Sequence, residues 1–348
     1  MTLARHLGTA LVAGVLLLLL SYKLGSYRDY ELAEVAAFVV AVAGLTVLIG
    51  VSGQISIGHG AFMAVGAYAA ALLMTHLHWP LELIIVGSAV ITAAAGGIVG
   101  VAAARLRGPY LAGATLMLAV ALPSIADRYQ GVFGGDQGLD INVTAPGFLG
   151  PAFPLTQWLA WLCCAAALIT LVLLANLVRS GIGRGWRAIR DDEVAAALAG
   201  YGVARLRVLA FVVSAACAGV GGALLAVVTA NVSPGAFTLT LSIGLLTAAV
   251  LGGLGSIAGA VWGSLLFVLV PSYLTNLAAS HGLSGAASSS VPIAAYGLVL
   301  VLVMLIFPAG IQGGVRRLLG LAAPAAGPPL SVLRRRTPTR DAKEKGTI

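Results

Sequence analysis

Residues 179–207 read RSGIGRGWRAIRDDEVAAALAGYGVARLR, the one long charged interruption in a chain that is otherwise apolar on either side. Arg179, Arg184, Arg187, Arg190, Arg205 and Arg207 surround Asp191, Asp192 and Glu193. A stretch of this kind between hydrophobic runs is a loop on one face of a membrane. Lys and Arg concentrate on the cytoplasmic side of spans, which places the loop there. It is far longer than a connection needs, and its length predicts one or two short helices lying on the membrane surface. Trp186, Ile189 and Glu193 share one face of a continuous helix, and Arg184, Arg187 and Arg190 recur along its side. The small residues Ala195, Ala196, Ala197 and Ala199 follow, and Gly200 stands where a helix end favours a left-handed residue. A small-residue helix ending at glycine can seat in a groove of a partner. A solvated, membrane-hugging helix is the plainer reading of the same pattern.

Composition agrees with a membrane protein. Of 348 residues, 59% are hydrophobic and only 9% charged, whereas soluble domains carry about a quarter charged residues. Mean hydropathy is +1.01. The net charge of +8 sets orientation in such a chain and does not call for nucleic acid. The 45 glycines allow close helix packing and local helix breaks in lipid. Cys163, Cys164 and Cys217 lie in apolar runs and imply neither a disulfide nor a metal framework.

Taken in order, the apolar runs are 7–24, 35–51, 61–77, 83–104, 109–126, 156–178, 208–229, 238–251, 257–275 and 291–307. The first reads as an uncleaved span, residues 25–34 as a short polar loop and 127–155 as a polar Gly- and Pro-rich loop. The expected fold is an all-α polytopic membrane protein of about ten transmembrane helices, some short or broken. A transmembrane domain over 1–315 is followed by a basic, disordered cytoplasmic tail over 316–348. With the N-terminus inside, every one of the 20 Lys and Arg except Lys23, Arg28 and Arg128 falls on the cytoplasmic side. A one-span error before the large loop would move Arg105 and Arg107 outside, so the charge bias decides for ten spans with both termini cytoplasmic.

The spans read as empty of central Asp, Glu, Lys and Arg, with His59 the one ionisable group away from their ends. Ion-coupled carriers usually need such groups. No G-x-x-x-x-G-K-[ST] pattern occurs, so the chain carries no phosphate-binding loop of its own. Uphill transport would draw its energy from a partner attached at the large loop.

Two glycine-rich interruptions stand out. GQISIGHG carries Gly53, Ser56, Gly58, His59 and Gly60, and GGLGS carries Gly252, Gly253, Gly255 and Ser256. Backbone breaks in lipid are tolerated where they face protein or a water-filled cavity. The sharper reading makes each a broken helix beside a translocation path, with Ser56 and His59 as polar lining. The plainer one is a turn between spans at the cytoplasmic surface. The runs LTVLIGVSGQISIG and LTAAVLGGLGSIAG resemble each other loosely, as interrupted segments of an internal repeat do. Asp136 and Gln137, in GGDQGLD, read as a turn in an external loop or a contact for an external partner.

Five stretches, in order, carry a wider resemblance: GLTVLIGVSGQISIGHGAFMAVGAYAAALL (44–73), RGPYLAGATLMLA (107–119), FGGDQGL (133–139), SGIGRGWRAIRDDEVAAALAGYGVARLRVLAFVVSAACAGVGGAL (180–224) and VLGGLGSIAGAVWG (250–263). The chain resembles the LivM-type inner-membrane permease subunits of bacterial ABC importers for branched-chain amino acids. That resemblance implies alternating-access import of such an amino acid across the cytoplasmic membrane, with no chemistry in this chain. It implies two ABC ATPase subunits that carry ATP and Mg, a second homologous permease and an extracytoplasmic solute-binding protein. The loop is then the ATPase-coupling segment, with Gly183, Arg184, Trp186, Arg187, Ile189, Arg190, Asp191, Glu193, Ala195, Ala196 and Gly200 as its functional residues. Glu193 stands seven residues before Gly200, against six in the commoner E-A-A-x-x-x-G form, and the trailing I-x-L-P is absent. The rival readings are an ABC permease or passive channel for urea or short amides, an ion-coupled carrier, and a non-transporting scaffold.

Overall fold

The computed structural model describes residues 25–77, 79–106, 109–146, 153–281, 286–318 and 320, with scattered positions before residue 24. Helix α1 spans Ser26–Thr46 and runs into a widened π turn at Val47–Val51. There follow α2 (His59–Leu77), α3 (Leu81–Ala103), α4 (Pro109–Arg128) and the short α5 (Gln130–Phe133). Then come α6 (Leu155–Arg179), α7 (Gly181–Asp191), α8 (Glu193–Leu198), α9 (Val203–Thr229) and α10 (Leu239–Gly252). The last are α11 (Ile257–Ser280), α12 (Ala286–Ile306) and α13 (Ile311–Leu318). Strands β1 (Leu139–Asp140) and β2 (Asn231–Val232) form a two-residue antiparallel pair.

The molecule is an all-α polytopic membrane protein. Among the described residues seven helices are long and apolar enough to cross a bilayer, and α12 with α13, bent by 44°, makes an eighth. Helix α10 is apolar but only 14 residues long, about 21 Å at the helical rise. The expected span 7–24 lies mostly outside the described residues, as does the tail from residue 321 onward.

Helices α1 and α9 are the buried pair at the centre, packed on each other and on α2, α3, α6 and α11. With no hydrophobic force between helices in lipid, small residues let backbones approach. A Cβ on Gly66 of α2 would overlap the Gly219 backbone of α9, and one on Gly222 would overlap the Met63 carbonyl. A Cβ on Gly44 would stand 2.5 Å from that of Cys217. The peripheral helices α3, α6 and α12 instead turn Val90, Ile98, Leu173 and Leu305 outward, as lipid-facing surfaces do.

Three boundaries differ from the sequence reading. Residues 25–34 are not a loop: Ser26 to Glu34 form the first turns of α1, which carries Asp29 and Glu31 into the bundle as buried carboxylates. The α1 span therefore carries acid in its opening turns, while its centre stays free of charge. Ser272 of α11 donates to Glu31 and Arg28 lies 3.8 Å from it, which is how a polar opening turn is accommodated. Residues 127–155 hold the end of α4, α5, a 3-10 turn at Gly135–Gln137 and β1. At the far end Arg316 and Arg317 belong to α13 and not to a disordered tail. That helix is seated by a hydrogen bond of 3.0 Å from Trp262 Nε1 to Gln312 Oε1.

Candidate functional site: a strapped loop and two helix breaks

The 179–207 loop holds two short helices, α7 and α8, separated at Asp192. Ser180 caps α7, its Oγ accepting from the Ile182 amide at 3.2 Å. Asp192 leaves helical geometry at φ −156° and caps α8, its Oδ1 accepting from Val194 N at 2.8 Å and Ala195 N at 3.0 Å. Side-chain caps of this kind satisfy the orphan amides of a first turn. Glu193 therefore opens a second helix and does not share a face with Trp186 and Ile189, because the Asp192 cap interrupts the continuous helix that the spacing implied. Helix α8 ends in a Schellman motif: Tyr201 N bonds to Ala196 O at 3.1 Å and Gly200 N to Ala197 O at 3.0 Å. Gly200 takes φ +87°.

Helix α7 turns Gly183, Gly185, Trp186 and Ile189 inward. Trp186 is 1% exposed and donates from Nε1 to the Leu206 carbonyl at 2.8 Å. A Cβ on Gly183 would overlap the Val178 carbonyl, and one on Gly185 would stand 2.8 Å from Leu206 Cδ1. Arg207 pairs with Glu193 at 2.8 Å, which fastens α8 to the first turns of α9. Arg184 and Asp191 face solvent, and Arg187 is half-buried.

Helix α8 behaves in the opposite way. Only Ala196 is buried, while Val194 (69% exposed) and Leu198 (85% exposed) project outward with Ala195, Ala197 and Ala199. The result is an apolar knob on a rigid base. Val194 and Leu198 were not singled out from the sequence. Their spacing of four around buried Ala196 is the signal that points to them once α8 is known to begin at Glu193.

Beneath α7 lies the first break. The π turn ends with Ser52 N bonding to Val47 O at 3.1 Å and Gln54 N to Leu48 O at 3.1 Å. Helix ends leave carbonyls without intrahelical donors, and the Gly50 carbonyl accepts from Arg190 Nη1 at 2.6 Å. The same guanidinium binds Asp191 Oδ1 through Nε and Nη2 at 3.1 and 3.0 Å. Gly53 takes φ +74°, and a Cβ there would stand 2.7 Å from Arg190 Cγ. Gln54 Nε2 reaches the Arg207 carbonyl at 3.3 Å.

From Gln54 the chain turns back into the bundle without helical structure. Ile57 N donates to Thr115 Oγ1 of α4 at 3.0 Å, and Gly58 is pressed on the Thr115 carbonyl. His59 Nε2 donates to the Ala41 carbonyl at 3.2 Å, and Gly60 N to Ser242 Oγ of α10 at 3.1 Å. Ala41 lies ten residues before Val51, about 15 Å up the axis. Helix α2 therefore starts at membrane depth, and the extended backbone before it is tolerated because it is buried in protein. Ser56 and His59 are each fully buried.

The second break, Gly252–Ser256, joins α10 to α11 at the same level. Gly253 and Gly255 take φ +113° and +85°. A Cβ on Gly50 would overlap the Gly255 amide nitrogen, and one on Gly310, before α13, would overlap Gly253. The π turn just before the first interruption thus touches the second, with Arg190 of the loop holding Gly50 and packing on Gly53. The two interruptions are not equivalent, since α11 begins directly at Ile257 while the first break adds the extended return.

Asp136 and Gln137 lie at the opposite face. Both are exposed, in the 3-10 turn between Gly134 and Gly138 at φ +76° each. Asn231 ties this turn down, donating to the Gln137 carbonyl at 3.1 Å and to Asp140 Oδ1 at 2.9 Å.

Comparison with known proteins fits this arrangement. The profile of the family described as "Branched-chain amino acid transport system / permease component" matches residues 28–308. The chain belongs to this family. It is 31% identical over 254 residues to the high-affinity branched-chain amino acid transport system permease protein LivM of Escherichia coli, covering 67% of this chain and 60% of that protein. The permease LivH of Salmonella typhimurium is 28% identical over 307 residues, 80% of this chain and 92% of LivH. The permease BraD of Pseudomonas aeruginosa is 29% identical over 293 residues with the same coverages. The chain spans about 60% of the length of the LivM relatives it matches. No solved structure matches.

Proposed function

We propose that this chain is the membrane-spanning permease subunit of an ATP-driven importer for branched-chain or related hydrophobic amino acids. The observation that carries the reading is the pairing of an outward apolar knob, α8, with a base strapped to both helix breaks. A docked motor acting on such a knob moves the membrane core directly. Two ABC ATPase subunits, which bind ATP and Mg, would take α8 in a surface groove. A second, homologous permease completes the path, and a solute-binding protein delivers amino acid at the opposite face, where Asp136 and Gln137 are exposed. The basic residues of the loop favour a cytoplasmic position for α7 and α8. On this reading the setting is the bacterial inner membrane, with both termini cytoplasmic. Closure of the ATPases on ATP displaces α8, and Arg190 passes the movement to Gly50 and Gly255, whose glycine contacts allow α1, α10 and α11 to shift against one another.

The test is reconstitution. The tagged chain is purified from its host in mild detergent with its bound proteins, placed in liposomes and supplied with binding protein and ATP. ATP-dependent, concentrative uptake of leucine, isoleucine or valine is the expected result. A chain that purifies alone and equilibrates solute without ATP would overturn the reading.

A further inference from the structure

Between α2, α3 and α4, at the face opposite the coupling loop, lies a cavity of about 410 Å³, within the range of roughly 300–1,000 Å³ usual for small-ligand sites. Its walls are Leu72 of α2, Ile91 of α3, Leu122 and Ala126 of α4, and Phe133, with Tyr68 completing the lining. The Tyr68 ring stacks edge-on to Phe133 at 5.0 Å. Tyr68 is 4% exposed, and its hydroxyl has no hydrogen-bond partner. A buried tyrosine hydroxyl ordinarily finds one.

Asp127 to Val132 line a second, open cavity where α4 ends. Asp127 follows Ala126 of the first lining and Val132 precedes Phe133, so the two linings are continuous along the chain. Asp127 is half-buried, and no protein donor reaches its Oδ1. The Asp127 carboxylate interacts with that of Asp136 and acts electrostatically on the Tyr68 hydroxyl. Arg128, exposed at the same mouth, supplies a cation at the rim. An apolar chamber, an orphan hydroxyl and two adjoining carboxylates describe a ligand with an aliphatic end, a cationic donor and an acceptor.

We propose that this chamber is a substrate subsite for a neutral aliphatic amino acid. The side chain fills the space among Leu72, Ile91 and Leu122, and the ammonium group donates to Asp127 and Asp136. The amino-acid carboxylate is met by the Tyr68 hydroxyl and Arg128. A phospholipid acyl chain would also fit the walls, and lipid occupancy is the competing outcome of the test below. A sugar would leave its hydroxyls unpaired in the chamber. The proposal rests on the importer reading and locates that reading's substrate in this chain.

The experiment uses the complete complex in liposomes, with saturating binding protein and leucine competed against alanine. Leu72→Phe on α2 and Ile125→Phe, a further lining residue on α4, narrow the chamber from two different helices, so a folding failure of one leaves the other. Each is expected to lower the leucine-to-alanine uptake ratio at least fivefold. Asp127→Asn is expected to slow uptake of both amino acids at least tenfold, with Asp127→Glu restoring a substantial part. If both narrowed variants keep the wild-type ratio while wild-type import is normal, the chamber proposal is overturned and the importer reading survives. Lipid retained in the wild-type chamber together with an unmoved ratio overturns it likewise. A wild-type complex that imports no aliphatic amino acid removes the importer reading and this subsite together.

Discussion

Arg190 of α7 donates to the Gly50 carbonyl of α1 across 2.6 Å, joining the surface loop to the central helix at the point where that helix unwinds. Gly50 in turn rests on Gly255 of the second break. One guanidinium therefore touches the first interruption directly and stands one residue, Gly50, away from the second. A charge-assisted hydrogen bond to a carbonyl at a helix end is strong and directional, and Arg190 can form it because Gly53 leaves room for its aliphatic stem.

On the importer reading, Arg190→Ala should therefore uncouple the proposed ATPase subunits without releasing them. Helix α8 does not depend on Arg190, so the ATPase subunits should still co-purify with the variant. ATP-dependent uptake should fall at least tenfold. Uptake within twofold of wild type, or loss of the ATPases from the purified complex, would sink this account of the Arg190 contact.

Leu198→Asp tests the knob. Leu198 is 85% exposed and takes no part in the chain's own core, so the variant should insert and melt like the wild type. Surface substitutions away from caps and cores typically change stability by less than about 0.5 kcal/mol. A buried contact with the ATPase would be disrupted by the new charge. Loss of ATPase co-purification at unchanged Tm is the expected result, and full retention would place the docking surface elsewhere.

Gly58→Val addresses the re-entrant backbone. A Cβ at Gly58 overlaps the Thr115 carbonyl, which is backbone and cannot rotate away. Overpacking typically costs about 1–3 kcal/mol, less than the whole bundle is expected to supply, so the chain should still reach the membrane. Transport should be lost because α2 and α4 can no longer approach. Membrane fractionation and uptake read the two effects separately; normal uptake would end the idea.

How much of this was open to the sequence differs by element. The polytopic helical fold follows from apolar run length alone, since the bilayer fixes the length of a span. The left-handed end at Gly200 follows from local chemistry. The boundary at Ser26 did not, because Asp29 and Glu31 look like loop residues until Ser272, distant in sequence, is seen to meet Glu31. The contact between Gly50 and Gly255 was hidden for the same reason: similar interruptions hint at a repeat but do not say that they touch. Asp192 misled differently. Mid-loop, between Asp191 and Glu193, it reads as one more surface charge, and only its extended φ reveals a cap that splits one helix into two. His59 reads as polar lining because it stands beside glycines; its bond to Ala41, which engages one ring nitrogen in holding α2 to α1, joins residues 18 apart and has no local signal.

Gly200 gives a prediction free of packing effects, because nothing lies within 4 Å of a Cβ built there while φ is +87°. Any change in stability must come from the backbone. A left-handed conformation costs an ordinary L-residue roughly 1–2 kcal/mol, and asparagine visits it more readily. Gly200→Val should be worst, Gly200→Ala intermediate and Gly200→Asn nearest to wild type. The loss should appear first as faster proteolysis or amide exchange in α8, since the Schellman bonds from Gly200 and Tyr201 close only that helix, and only then in global melting. ATPase co-purification should follow the same order, because a frayed α8 presents no fixed knob. If alanine and asparagine prove equal in α8 protection, backbone strain is not what selects glycine here, and a contact made by the partner against the bare Gly200 surface would be the remaining cause.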